Sequence, residues 1–228
     1  YYFYGFPYFA YSAVLLIPVR LLNSLENTPL VMTVLRQMVS VLPMLAAILI
    51  LVFLQTGFRS YKAFLIFALL ASIPALVQNN YWWHPDSLAF LVVSLTFYCF
   101  ERDQQQYQRY FWLAGIFSGL ALGTKHLGEF FVLAVPLYLL LGILAKKITW
   151  RKASLLAAGF VALMAAAVVV SNPLLLLPIE RGEIIRYTLI QWRETTQGSV
   201  VAHRGLMLNV ETLRFFFIHT GGLFFTLF

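Results

Sequence analysis

Apolar runs separated by short polar joints dominate the chain. The runs at 31 to 54, 62 to 78, 153 to 171 and 210 to 228 reach the length of a membrane-spanning helix, which needs about 20 predominantly apolar residues and has about 17 as a practical floor. Those at 87 to 100, 110 to 124 and 128 to 145 are shorter, but each is apolar and bounded by charged or Gly-rich joints. Counting them gives about seven spans. The expected fold is all-α: a polytopic transmembrane helix bundle forming a single domain over residues 1 to 228.

The first apolar run, Phe6 to Val19, has 14 residues, contains Pro7 and Pro18 and stops at Arg20. That is too short to span, so a re-entrant or interfacial helix is expected at the end of an extracytoplasmic loop covering 1 to 31. Its aromatic start, "YYFYGFPYFAY", suits the headgroup depth at which amphipathic rings settle.

Composition agrees with this pattern. Hydrophobic residues make up 61% of the 228 positions and charged residues 11%, and the mean hydropathy is +0.81. Ordinary soluble domains carry about 25% charged residues. The chain opens on Tyr1 and stops inside the apolar "GGLFFTLF", as expected of a portion of a longer protein. A single cysteine, Cys99, excludes an intramolecular disulfide.

The net charge of +7 would suggest an acidic or nucleic-acid partner in a soluble protein. In a membrane protein, loop Lys and Arg first report orientation, and no basic motif interleaved with aromatics points to nucleic acid. "GFRSYK", "ERDQQQYQR" and "AKKITWRK" carry eight basic residues (Arg59, Lys62, Arg102, Arg109, Lys146, Lys147, Arg151 and Lys152), whereas 79 to 86 carry none. By this bias the first set faces the cytoplasm. "NNYWWHPD", "GTKHLGE" and the segment from 172 to 209 then share the extracytoplasmic face, in a plasma (inner) membrane or, in a eukaryote, the endoplasmic reticulum. The last segment interleaves Arg181, Arg186, Arg193 and Arg204 with Glu180, Glu183 and Glu194, and long loops translocate largely regardless of charge.

An ionisable side chain at membrane depth needs a partner, a route to the headgroups or a function. Lys125 follows "GLALGT" and stands four residues before Glu129, the spacing of a helical ion pair. It is either half of a self-neutralising pair or a cation held on an apolar wall for a lipid phosphate. Arg36, in "TPLVMTVLRQMVSV", either snorkels to headgroups or adds a second phosphate contact. In "NNYWWHPDSLAF", Pro85, Asp86 and Ser87 read as a helix start, and Trp82 and Trp83 as interface anchors. His84 and Asp86 are also two candidate ligands for a divalent cation, too few to make a site alone. His203 and Arg204 lie between glycines in the last polar segment, where His203 is a solvated residue or a substrate contact. There is no HExxH, Walker loop or GxSxG.

Three segments in this order resemble the lipid-linked-sugar glycosyltransferases of the GT-C class, especially those similar to protein O-mannosyltransferases. They are "VLRQMVSVLPMLAAILILV", "HPDSLAFLVVSLTFY" and "LAGIFSGLALGTKHLGEFFVLAVPLYLLL". "VVVSNPLLL" and the histidine-bearing "QGSVVAHRG" are similar to later family segments. The resemblance implies a GT-C-like fold and a polyprenyl-phosphate-linked sugar as donor. It also implies a substrate site in which Lys125 and Arg36 hold the lipid phosphate while His84 and Asp86, with His203, line the pocket. It places the catalytic acid in the first extracytoplasmic loop, expected upstream of Tyr1, since Glu26 is the only carboxylate in residues 1 to 31. The remaining partners expected are membrane lipids and other membrane proteins. Two other readings remain open: a non-catalytic subunit that keeps the fold, and a transporter. The latter is disfavoured by the lack of two related halves.

Overall fold

A computed structural model describes residues 5 to 22, 24 to 125 and 131 to 197, and all the regular structure among them is helical. In order these are α1 (Phe6–Leu15), α2 (Ile17–Leu21), α3 (Thr28–Leu35), a π-helical turn (Arg36–Val41), α4 (Leu42–Thr56), α5 (Lys62–Ala71), α6 (Pro74–Asn79), α7 (Asp86–Asp103), α8 (Arg109–Thr124), α9 (Phe131–Leu144), α10 (Trp150–Ser171), a 3₁₀ turn (Pro173–Leu176) and α11 (Pro178–Gln197). The helical membrane fold expected from the hydrophobic pattern is what forms.

Among the described residues, two helices are long and apolar enough to cross a bilayer by length and composition: the continuous helix Thr28–Thr56, and α10. The first begins with Asn27, whose side chain accepts from the Leu30 N–H at 3.2 Å, and with Pro29 in its first turn. Both are ordinary helix-start chemistry. Its π-helical turn ends at Val41, two residues before Pro43, which has no N–H to offer the Val39 carbonyl. It ends at Gly57, in the left-handed conformation at φ 57° that glycine adopts without strain.

Two segments differ from expectation. The run 62 to 78 is not one helix, because α5 ends at Ala71 and α6 restarts at Pro74. A proline disfavours helical backbone in the residue before it and removes a backbone donor, outweighing the unbroken hydropathy. The polar segment from 172 to 209 contains the 20-residue α11, mostly beyond reach of a simple loop reading.

At the centre α7 packs between α4 and α8, and α8 between α7 and α10; α5 lies on α4 and α9 on α10. Gly115, Gly119 and Gly123, four residues apart, face α10. A Cβ on Gly119 would sit 2.3 Å from the Met164 carbonyl oxygen and 2.7 Å from the Ala167 methyl. Small residues allow this close approach where lipid supplies no hydrophobic drive between helices. Phe111, Phe160, Val135 and Leu139 bury the seam, with Phe100 stacked on Phe160 at 6.0 Å between centroids.

Asp103, 2% exposed, organises the α7–α8 turn. Its carboxylate accepts from the backbone N–H groups of Tyr107 (3.0 Å), Gln108 (3.1 Å) and Phe111 (3.3 Å) and from the Tyr138 hydroxyl (2.8 Å). A buried carboxylate needs this kind of saturation. Burial, then the adjacent Asp103 charge, pushes the Tyr107 hydroxyl above its ordinary value.

Candidate functional site

The opposite end of the bundle gathers four helix termini. α7 starts at Asp86, α8 ends at Thr124, α10 ends just before Asn172 and α1 starts beside Gly5. The Gly5 N–H donates to the Thr124 carbonyl at 3.2 Å, and a Cβ on Gly5 would collide with the Gly123 oxygen. Asn172 fastens three of these ends. Its Oδ1 accepts from the Phe6 N–H at 2.8 Å, and its Nδ2 donates to the Gly123 carbonyl at 3.2 Å and to the Val168 carbonyl at 3.1 Å.

Within this frame the Lys125 ammonium is paired with Asp86 Oδ1. The other carboxylate oxygen, Oδ2, lies 3.1 Å from His84 Nδ1, an ionic contact when the imidazole is protonated. The backbone at Lys125 is extended (φ −159°, ψ 154°), turning the side chain out of α8 toward the start of α7. Each charge also meets a favourable helix end, since a carboxylate suits the positive start of α7 and an ammonium the negative end of α8. The Lys125 and Asp86 side chains are 34% and 35% exposed and His84 is 28% exposed. The chain of three is therefore open to a ligand, and Lys125 keeps two further N–H donors beyond the one Asp86 uses.

The loop bearing His84 is stitched in place on both sides. Trp83 Nε1 donates to Ser12 Oγ at 3.1 Å, and its ring packs on Tyr8 at 5.4 Å. The Ser40 hydroxyl donates to the Trp82 carbonyl, and Asn79 Nδ2 donates to Ser87 Oγ at 2.8 Å. Trp82, 65% exposed, fits an interface anchor, whereas Trp83 serves as a tie to α1.

Lys125, Asp86 and His84, expected from sequence, thus come together. Arg36 is at the same end, one helical turn before Ser40, with an exposed side chain; among the described residues no hydrogen bond or ion pair joins it to the other three. Glu129 and His203 lie outside the described residues. The same residues contain no cluster of three or more His, Cys, Asp or Glu side chains suited to a metal ion. Asn172 was missed as part of the site, although the Asn-Pro step after a long apolar run marks a helix end where an amide can cap.

A family model described as dolichyl-phosphate-mannose-protein mannosyltransferase matches residues 13–171. The chain belongs to this family. The match runs from within α1 to the last residue of α10 and includes Arg36, His84, Asp86 and Lys125. It makes the chain a membrane-embedded glycosyltransferase type of the GT-C class. No curated protein and no solved structure matches it.

Proposed function

We propose that this chain transfers a sugar from a polyprenyl-phosphate donor to an acceptor hydroxyl on the extracytoplasmic side of its membrane, and that Lys125 holds the donor's phosphate. The observation that carries this reading is the Lys125–Asp86–His84 chain, partly open at the end of the bundle where the charge bias expects the extracytoplasmic face. The family description adds mannosyl phosphate as the sugar donor and protein as the acceptor.

In the transfer, the bond between the anomeric carbon and the phosphate oxygen breaks and its electron pair stays on the lipid phosphate. The acceptor oxygen bonds to the anomeric carbon and gives up its proton to a base. An ammonium fixed beside the phosphate stabilises the charge that develops on the leaving group. Asp86 is a positioning residue here: it aims Lys125 while His84 holds its second oxygen. Arg36, exposed and one turn outward of the stitched loop, extends the positive surface toward the headgroups. His203, outside the described residues, is a further pocket residue that the family resemblance implies. The base is a carboxylate that the family resemblance assigns to the first extracytoplasmic loop.

Under this reading the protein is multi-pass, in a plasma (inner) membrane or the endoplasmic reticulum, with the 172 to 209 segment on the extracytoplasmic side. The experiment replaces Lys125 and Asp86 singly with alanine in the full-length protein and measures transfer from a lipid-linked sugar. Turnover should collapse in Lys125→Ala and fall steeply in Asp86→Ala. Normal turnover in both, at normal expression, would reduce the ion pair to a helix tie and favour a non-catalytic subunit.

A further inference from the structure

The far end of the bundle holds a second polar feature that the transfer reaction does not use. Where α9 turns into α10, a cavity of about 470 Å³ is lined by Lys146, Lys147, Thr149, Trp150 and Lys152 over the floor residues Ile143 and Ile148. Its size falls in the usual range of small-ligand pockets, about 300–1,000 Å³. Residues 143 to 152 contain no Asp or Glu, so the three ammonium groups have no acid of their own segment to balance them.

The backbone gives an independent reason to think the lysines are there for a ligand. The Lys147 N–H donates to the Gly142 carbonyl and the Lys146 N–H to the Ile143 carbonyl, both at 2.9 Å, the paired closure of a helix C-terminus whose left-handed position usually belongs to glycine. Here that position is Lys146, at φ 56°. A non-glycine residue there carries a conformational cost, and such outliers concentrate at ligand sites. Lys147 Nζ donates to the Gln104 carbonyl at 3.3 Å, fixing one wall of the cavity. Thr149 caps α10 by accepting from the Lys152 N–H at 3.4 Å, so the positive start of a 22-residue helix adds to the same field. Trp150, 69% exposed, stands at the rim, as an aromatic at a membrane interface does.

We infer that this three-lysine cavity binds the phosphodiester headgroup of an anionic membrane phospholipid. Basic pockets between helices at the charged end of a bundle recognise such headgroups, and the charge bias places this end in the cytoplasmic leaflet. The site is separate from the Lys125 chain: the α8 and α10 C-termini meet at Gly123 and Asn172, so the start of α10 lies at the opposite end.

The test uses the full-length protein in detergent, with phosphatidylglycerol, phosphatidylcholine and inorganic phosphate as probes and bound lipid counted by native mass spectrometry. The intact protein should prefer phosphatidylglycerol to phosphatidylcholine, and the triple variant Lys146→Gln/Lys147→Gln/Lys152→Gln should lose that preference, by about fivefold per lysine. Lys146→Gly keeps the turn and relieves its backbone, so it should bind phosphatidylglycerol more weakly while melting at a higher temperature. That combination separates a ligand role from a folding role. Equal preference in the intact and triple-variant proteins would overturn the inference. So would displacement of phosphatidylglycerol by millimolar inorganic phosphate, which would show a site for free phosphate instead of a lipid.

Discussion

Asp86, the first residue of α7, and Lys125, which ends α8, form an ion pair across 39 positions of sequence. The pairing gives Lys125 a partner from a distant segment; Glu129, at helical spacing from it, lies outside the described residues. The pair links the entry of one helix to the exit of its neighbour. A tie between helices and a phosphate contact make different demands on the two residues.

A tie needs only opposite charges, whereas phosphate binding needs the cation at residue 125. The swapped variant Asp86→Lys/Lys125→Asp keeps an ion pair but turns both charges against their helix ends. It should regain part of the thermal stability lost in Asp86→Lys alone while transfer stays at least about 100-fold down, the usual loss when a transition-state donor is removed. Recovery of transfer together with stability would make the pair purely structural. Melting curves and transfer from a lipid-linked sugar, run on the four members of the cycle, decide it.

The contact of α8 with α10 predicts unequal effects for two chemically identical changes. A Cβ at Gly119 meets the Met164 carbonyl oxygen at 2.3 Å, a backbone atom unable to step aside. At Gly115 the nearest atom is a Phe160 ring carbon at 3.4 Å, an ordinary contact. Gly119→Ala should destabilise by about 1–3 kcal/mol, as overpacking does, while Gly115→Ala stays near the parent. Thermal denaturation in one detergent compares them directly.

Much of this was legible in the sequence. The apolar runs gave the helical membrane fold, and "HPDS" gave the start of α7 at Asp86. The rest was not, because it depends on contacts between distant segments. Nothing local to Lys125 names Asp86 as its partner while Glu129 stands at helical spacing. Hydropathy averages over Pro74 and so conceals the break between α5 and α6. Asp103 reads as one more polar residue in "ERDQQQYQR", although folding buries it against four donor groups from the turn, α8 and α9.

That buried carboxylate gives a prediction of its own. Asp103→Asn replaces one of two accepting oxygens with an NH₂ group, so donors now served by that oxygen are left facing another donor. A buried donor without a partner costs about 1–3 kcal/mol. Asp103→Asn should therefore lower the melting temperature more than Tyr138→Phe, which removes the 2.8 Å hydroxyl contact to Asp103 and the 2.7 Å contact from the Gln105 N–H but keeps the backbone caps. The reverse order would mean that Tyr138, not Asp103, organises the turn.

Asn172 offers a way to disturb the candidate site without touching its charges. Its amide accepts from Phe6 and donates to Gly123, two residues before Lys125, so it sets where α8 ends and the lysine turns out. Asn172→Asp preserves the acceptor for the Phe6 N–H but points a carboxylate oxygen at the Gly123 and Val168 carbonyls, exchanging two attractive contacts for repulsive ones. Asn172→Ala instead leaves the Phe6 N–H and the Gly123 carbonyl unpaired, again about 1–3 kcal/mol per buried group. Both variants should melt lower than the parent. If Lys125 holds the donor phosphate, both should also raise the KM for the lipid-linked sugar, because the ammonium is no longer fixed relative to Asp86. A lowered melting temperature with KM and kcat unchanged would show that the end of α8 can shift without consequence for the donor, and would remove the geometric support for Lys125 as its phosphate contact.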